Sequence, residues 1–129
     1  MIFGQLLLWQ NVNCYMTSFE DCYIKKTILM TPIRVKNNLN KFNFKLNNSL
    51  LSPNQWFDYA LVFVNGFAPI KMNDKGWNFI NTKGELLSPN QWFDDGFFFD
   101  TNGFAKVILN NNKFYIDING SLHKKNRHK

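Results

Sequence analysis

Two tryptophans, Trp56 and Trp92, occupy equivalent positions in two identical stretches of sequence and are the side chains best suited to bind a ligand. Aromatic rings placed one period apart could stack a row of sugar rings or nucleic-acid bases. Trp77 lies between them in the sequence and adds a third candidate ring. The alternative is that each ring fills the gap between neighbouring structural units, as repeated aromatic residues commonly do in repeat proteins. Both interpretations of these positions stay open at this point.

The carboxylates beside these tryptophans could perform acid-base chemistry, because Asp94 and Asp95 are adjacent and Asp58 repeats the position of Asp94. A general acid and a general base need different environments, whereas identical stretches supply identical ones. The pattern therefore favours a structural role, in which Asp58 and Asp94 accept backbone N–H hydrogen bonds at a turn. The sequence contains no Gly-rich phosphate loop, nucleophile elbow or metal-protease motif. We predict that the chain is not an enzyme and needs no cofactor.

The sequence lacks the residue patterns typical of metal sites and of specific nucleic-acid binding. Asp74, Asp100 and Asp117 lie near asparagines, but the Asp-x-Asp-x-Asp-Gly pattern of a calcium loop is absent. Both histidines lie in the basic tail, residues 123–129. This tail holds four of the 15 Lys and Arg residues and no acid, so the net charge of the chain is +6 with the tail and +2 without it. We interpret the tail as a solvated end. Because Lys outnumbers Arg 13 to 2, arginine-led base recognition is disfavoured, and we predict no metal site and no specific nucleic-acid binding.

The candidate residues belong to an internal duplication. The nine residues Leu50–Asp58 return unchanged as Leu86–Asp94, at an offset of 36 residues. A period of this size is typical of solenoids, propellers and open arrays. The Asn-Gly-Phe-Ala motif that follows returns at an offset of 37, so one extra residue lies between Asp94 and Asn102, and a compensating deletion lies near Asn110 to Lys113. The duplication predicts tandem units of about 36 residues.

These units are predicted to be β. Residues 42–46 and 114–118 alternate apolar with polar side chains, the pattern of a half-buried strand. Asn and Gly follow such strands, and they tolerate the positive φ that short hairpin turns require. Residues 67–72 and 104–109 are predicted to form a further strand in each unit. The apolar runs 61–64 and 97–99 are predicted to form extended segments that pack under the next unit. We therefore predict an all-β fold of short antiparallel strands, stacked as an open array that is solenoid-like or propeller-like.

The order of these motifs resembles the WG repeat family, which is found mainly in bacterial and phage proteins. Units of that family combine a Gly-x-Ala strand, a Trp-Gly-Phe-Ile-Asp strand, a Gly-containing turn, an aliphatic pair, a proline and an aromatic-Asp pair. The matching positions are Pro53, Phe57, Asp58, Gly66, Trp77, Gly84, Pro89, Phe93, Asp94, Gly103 and Gly120. One departure is that Asn78 stands where the family has glycine after Trp. The resemblance implies a repetitive β scaffold in which these positions are structural, and it implies neither catalytic residues nor a particular partner.

The resemblance and the duplication divide the chain into three parts. Residues 1–32 form a non-repeat segment that is either an N-terminal cap or the end of a longer upstream sequence. Residues 33–122 hold about two and a half units, and residues 123–129 form the basic tail. The apolar run near the start lacks a basic n-region and a cleavage site, so we predict no signal peptide, and it is too short to span a membrane. Cys14 and Cys22 have no zinc-like partners, and we expect reduced thiols in an intracellular protein.

The favoured function is a non-catalytic scaffold that binds another protein through a repeated β surface. One alternative is a carbohydrate or cell-wall binding module that uses Trp56 and Trp92. Another is a structural fragment without independent function, because two and a half units barely exceed the minimum for a stable array. A hydrophobic content of 45% with 14 Phe is enough for a folded core and argues against a disordered chain.

Overall fold

A computed structural model describes residues 31–124 of the chain, and these residues form ten β-strands and no helix. The strands are β1 Ile33–Lys36, β2 Phe42–Leu46, β3 Ser49–Leu50, β4 Tyr59–Ala60, β5 Phe67–Met72, β6 Gly76–Asn81, β7 Asp95–Phe99, β8 Phe104–Leu109, β9 Asn112–Asp117 and β10 Leu122–His123. The predicted all-β class is confirmed for this part of the chain. The expectations for Cys14, Cys22, the N-terminal cap and most of the basic tail lie outside the described residues.

Three antiparallel sheets hold these strands. The first sheet has the order β1-β2-β3, the second β4-β5-β6, and the third β10-β9-β8-β7. Strands that neighbour each other in a sheet are also neighbours in sequence, so short hairpin connections suffice to build all three sheets. The apolar run 97–99 is not a separate packing segment, because it belongs to strand β7 and pairs with β8, with a bulge between Gly96 and Phe99. Only Phe99 of that run is buried, whereas Phe97 and Phe98 are exposed.

Four hairpin turns share one construction. In each turn, the side-chain oxygen of Asn or Asp accepts hydrogen bonds from the backbone N–H groups two and four residues later, at 2.9–3.0 Å. These turns begin at Asn37, Asn81, Asp100 and Asp117. The fourth residue of each has positive φ, which suits a three-residue hairpin loop; these residues are Asn40, Gly84, Gly103 and Gly120. Gly66 serves a shorter turn, which Val64 and Phe67 close.

The core consists of two hydrophobic clusters. The first contains the buried residues Phe44, Phe57, Ala60, Ala68, Ile70 and Ile80. The second contains Phe79, Phe93, Phe99, Ala105, Val107 and Ile116. The second sheet contributes to both clusters, because successive residues of a strand point to opposite faces, as Phe79 and Ile80 of β6 do. Burying one such side chain stabilises the fold by about 1.5–3 kcal/mol, so the two clusters supply most of the cohesion between the sheets.

Candidate functional site

Two buried asparagines hold the loops that carry the candidate tryptophans. Asn78 of β6 is fully buried. Its Nδ2 donates hydrogen bonds to the carbonyl oxygens of Ser88 at 2.7 Å and Gln91 at 3.3 Å. Its Oδ1 accepts from the backbone N–H groups of Phe79 at 2.8 Å and Ser88 at 3.2 Å. Every donor of the amide is therefore satisfied, which matters because a buried polar group without a partner costs about 1–3 kcal/mol.

Asn43 of β2 repeats this arrangement. It is also fully buried, and its Nδ2 donates to the carbonyl oxygens of Ser52 at 2.8 Å and Gln55 at 2.9 Å. Its Oδ1 accepts from the N–H groups of Phe44 at 2.8 Å and Ser52 at 3.3 Å. We call residues 52–56 the first block loop and residues 88–92 the second block loop. Each loop is thus fixed to its sheet by one asparagine.

The hydrogen bonds correct one part of the sequence alignment. At an offset of 36 residues, Phe42 would correspond to Asn78, but the bonding pattern equates Asn43 with Asn78, an offset of 35. The difference arises in the turns, because β2 and β3 are joined by the two residues Asn47 and Asn48. The turn that follows β6 begins at Asn81 and is one residue longer. In sequence, Asn78 departs from the glycine of the WG pattern, but Asn43 and Asn78 are each flanked by two aromatic residues, which is a signal of their shared role.

The nine duplicated residues form a first block, Leu50–Asp58, and a second block, Leu86–Asp94. The two predicted structural carboxylates, Asp58 and Asp94, connect each block to a distant turn. Asp58 accepts a hydrogen bond from the backbone N–H of Asn73 at 2.6 Å, and Asp94 accepts one from Asn110 at 2.8 Å. Asn73 and Asn110 lie in the hairpin turns after β5 and β8. Asp58 also forms a salt bridge with Lys41. The expectation that the two carboxylates have identical environments is therefore wrong, because Lys41 lies outside the duplicated residues.

The hydrogen bond from Asn73, together with the Lys41 ammonium group, holds the pKa of Asp58 below its ordinary value of 3.8. A group whose pKa is lowered by folding stabilises the fold above its unfolded-state pKa and loses that contribution as the pH falls through its folded-state pKa. We expect the free energy of unfolding to decrease as the pH is lowered from 5 toward 2, and Asp58→Asn to remove part of that decrease. Urea denaturation across this pH range measures it.

The control for this measurement is Asp74→Asn, since Asp74 is exposed and has no hydrogen bond or salt bridge within residues 31–124. That variant is expected to keep the pH dependence of the parent chain. Equal pH profiles for the parent and Asp58→Asn would show that the Asn73 and Lys41 contacts add nothing to stability.

The structure separates the three candidate tryptophans, all of which are partly buried. Trp92 packs against the first cluster, and the Lys75 ammonium lies 5.6 Å from its ring centroid. Trp77 packs against the second cluster and meets the Tyr59 ring edge-on at a centroid distance of 6.0 Å. Trp56 belongs to neither cluster. None of the ring contacts within residues 31–124 joins two tryptophans, so these side chains do not form a continuous row of rings.

A groove with a volume of about 400 Å³ lies between the first block loop and Trp92. Its apolar walls are Leu51, Pro53, Phe57, Ile80, Leu86 and Trp92. Asn54 and Gln55 add exposed amide groups at the loop, and Lys75 is the one charged residue that lines the groove. Of the predicted binding residues, the structure thus places Trp92 in a concave site. Lys75, Asn54 and Gln55 were not singled out from the sequence, because the loop and the turn meet only in the fold.

The remaining candidate residues lie in the turns and hydrogen bonds of the fold. Asp100 and Asp117, considered for calcium, each begin one of the four shared turns. The interpretation of residues 123–129 as a solvated end is wrong for His123, because this residue belongs to β10 and its Nε2 lies 2.9 Å from the Asp117 carboxylate. The described residues contain no group of three or more potential metal ligands. No helix that could cross a membrane occurs between residues 31 and 124. Comparisons of the chain with family models, with curated proteins and with solved structures give no match.

Proposed function

We propose that residues 33–122 are tandem β repeats of the WG type and that the chain is a non-catalytic scaffold that binds another protein. The second sheet supports the repeat arrangement, because it has one face in each hydrophobic cluster, as the middle layer of a stacked array would have. Phe57 and Phe93, equivalent residues of the duplication, each supply one buried ring to a different cluster. Stacked units would bury these rings between them.

A recurring contact between glycines and backbone carbonyls also supports the arrangement. A Cβ atom at Gly84 would lie 2.7 Å from the carbonyl oxygen of Leu51, and one at Gly120 would lie 2.9 Å from that of Leu87. Both glycines are 36 residues apart, and so are both leucines. The turn of one unit therefore packs against the block of the preceding unit in the same way twice. Nearest-neighbour contacts of this kind stabilise tandem arrays.

The observation that carries the function is the equal anchoring of the two block loops. Both loops expose the same three side chains, namely Pro53, Asn54 and Gln55 in the first and Pro89, Asn90 and Gln91 in the second. Because Asn43 and Asn78 fix the loop backbones, little conformational freedom would be lost on binding. A partner that contacts both loops would combine two modest contacts into one stronger interaction. A repeated, rigid and exposed surface suits a protein partner better than a reaction, and the proposal includes no catalytic residue.

Selection of a displayed random-peptide library on the chain tests this function. We expect enrichment of one peptide family whose binding weakens by about threefold to tenfold in either Asn54→Ala or Asn90→Ala, as loss of about 1 kcal/mol implies, and further in the double variant. Lys45→Ala, at an exposed residue of β2 outside both loops, is the control and should leave binding unchanged. Binding that is insensitive to all three variants would reject the block loops as the binding surface.

A carbohydrate-binding module is the second candidate, and the position of Trp92 favours it. A partly exposed indole beside the amide groups of Asn54 and Gln55 could stack on a sugar ring while the amides bond to its hydroxyl groups. A panel of neutral and acidic oligosaccharides titrated against the parent chain and Trp92→Ala tests this candidate. Binding by the parent that Trp92→Ala abolishes would support it, and a parent chain that binds no glycan would eliminate it.

A further inference from the structure

We propose that the groove between the first block loop and Trp92 recognises a peptide segment in which an Asp or Glu lies beside a large apolar side chain. This inference rests on the proposed protein-binding function, and it adds the location of the contact and the chemistry of the partner. The groove volume of about 400 Å³ falls within the range of sites that enclose small ligands, about 300–1,000 Å³. One or two large side chains of a peptide could therefore enter it.

The apolar walls determine what enters the groove. Leu51 and Phe57 come from the first block, whereas Ile80 and Leu86 come from β6 and the start of the second block. An apolar side chain placed among them would be removed from water, which is how the central anchors of protein interfaces gain most of their affinity. A sugar would instead place hydroxyl groups against aliphatic walls that offer them no hydrogen-bond partner. The walls thus favour a peptide over a sugar.

The charge of the groove determines what lies beside the apolar anchor. Lys75 is the charged residue of the lining, and no carboxylate lines the groove. Within residues 31–124 the salt bridges join Lys41 to Asp58 and His123 to Asp117, so Lys75 has no such partner there. A carboxylate of the partner would therefore meet an ammonium group that lies 5.6 Å from the Trp92 ring centroid and has no salt bridge in the described part of the chain, an arrangement that selects acidic over basic segments.

The rim can hold the backbone of such a segment. Asn54 and Gln55 are exposed at the first block loop. The Gln55 Nε2 group already contacts the carbonyl oxygen of Trp56 at 3.5 Å and the Met72 sulfur at 3.7 Å, so the Asn54 amide supplies the donor for a peptide backbone and both side-chain oxygens can accept. The loop that carries them is anchored by Asn43 through the carbonyl oxygens of Ser52 and Gln55. The rim is thus rigid before the peptide binds.

The acidic preference should be confined to this one groove. One period after Lys75, the sequence has Asn111 in place of lysine. The second block loop therefore repeats the amide groups of the first loop without repeating its lysine partner in sequence. We therefore expect the second block loop to contact peptides regardless of their charge, and the first block loop, together with Lys75, to select acidic peptides.

Charge reversal at Lys75 tests the inference. The probe is a display library of twelve-residue peptides with random central positions, selected in parallel on the full parent chain, on Lys75→Glu and on Lys83→Glu. Lys83 is exposed and does not line the groove, so its variant is the matched control for net charge. We expect the parent and Lys83→Glu to enrich Asp or Glu next to Leu, Phe or Trp. We expect Lys75→Glu to enrich Lys or Arg at the same place, and Trp92→Ala to weaken the selected peptides by about tenfold or more.

The outcomes separate this inference from the proposed function. If peptides are enriched without an acid beside an apolar residue, or if the acid preference survives Lys75→Glu, the groove assignment is overturned while peptide binding stands. If no peptide is enriched by any of the chains, the protein-binding function itself fails. If an oligosaccharide of uronic acids binds the parent chain and loses affinity with Lys75→Glu, the groove is a carbohydrate site and the peptide inference is overturned.

Discussion

Replacement of Asn78 with aspartate is expected to lower the free energy of unfolding by about 3–5 kcal/mol, the typical effect of leaving a buried charge without a partner. The Asn78 side chain is fully buried, and its Nδ2 group donates to two carbonyl oxygens, those of Ser88 and Gln91. In the variant, a carboxylate oxygen would face both carbonyl oxygens, so two attractive contacts would become repulsive. The side-chain volume hardly changes, and the effect isolates the hydrogen bonds from packing.

Urea denaturation of the purified variant measures this effect. The matched control is Asn90→Asp, because Asn90 lies in the same loop and is exposed, and exposed substitutions usually change stability by no more than about 0.5 kcal/mol. Asn43→Asp should behave like Asn78→Asp, since its amide makes the equivalent four hydrogen bonds. Equal stabilities for the Asn78 and Asn90 variants would mean that the buried amide does not anchor the loop.

Gly84→Ala is expected to lower the free energy of unfolding by about 2–5 kcal/mol. Its φ of 81° lies in the left-handed region, which adds about 1–2 kcal/mol for a residue with a side chain. The new Cβ would also lie 2.7 Å from the carbonyl oxygen of Leu51. Backbone atoms cannot move aside as a flexible side chain can, so the first block must separate from the turn, and such overpacking costs typically about 1–3 kcal/mol.

Gly66→Ala separates the two contributions to this effect. Gly66 has a φ of 91°, and a Cβ there would meet no atom within 4 Å, so only the cost of the backbone conformation of about 1–2 kcal/mol remains. Gly120→Ala should resemble Gly84→Ala, because its Cβ would lie 2.9 Å from the carbonyl oxygen of Leu87. Thermal and urea denaturation of the three variants give the comparison. If all three variants lose the same free energy of unfolding, the contacts between the turns and the preceding blocks do not contribute to stability.

The parts of the fold that could be predicted from sequence depend on local interactions. Residues 42–46, 67–72 and 104–109 form strands as predicted, because apolar alternation and flanking Asn or Gly act over a few residues. Glycine positions such as Gly84 could be assigned to turns because few other residues tolerate positive φ. The predicted strand at residues 114–118 was less accurate in its bounds, since β9 spans Asn112–Asp117 and Ile118 is exposed.

The candidate site could not be predicted in the same way. Its lysine directly precedes β6 and its tryptophan lies in the second block loop, and the two come together because Phe93 pairs with Trp77 of β6 through two backbone hydrogen bonds. The role of Asn43 and Asn78 depends on carbonyl oxygens that lie nine or more residues further along the chain. Secondary-structure propensity and apolar periodicity act over a few residues and do not describe such long-range pairing. The hydrogen-bond partners of a buried polar residue in an apolar strand therefore cannot be read from the sequence alone.

The unequal turn lengths identify where this chain can accept foreign sequence. The turn between β7 and β8 has three residues, 101–103, whereas Asn65 and Gly66 suffice at the corresponding place between Val64 and Phe67. The turn between β8 and β9 has two residues, Asn110 and Asn111, whereas three join β5 to β6. The chain thus already accommodates single insertions and deletions at these exposed tips while Ala68, Ile70, Ala105 and Val107 all stay buried. Of these tips, residues 101–103 lie outside the proposed groove and outside the turns that bind Asp58 and Asp94, so an epitope tag or a fluorophore-labelled cysteine is best introduced there.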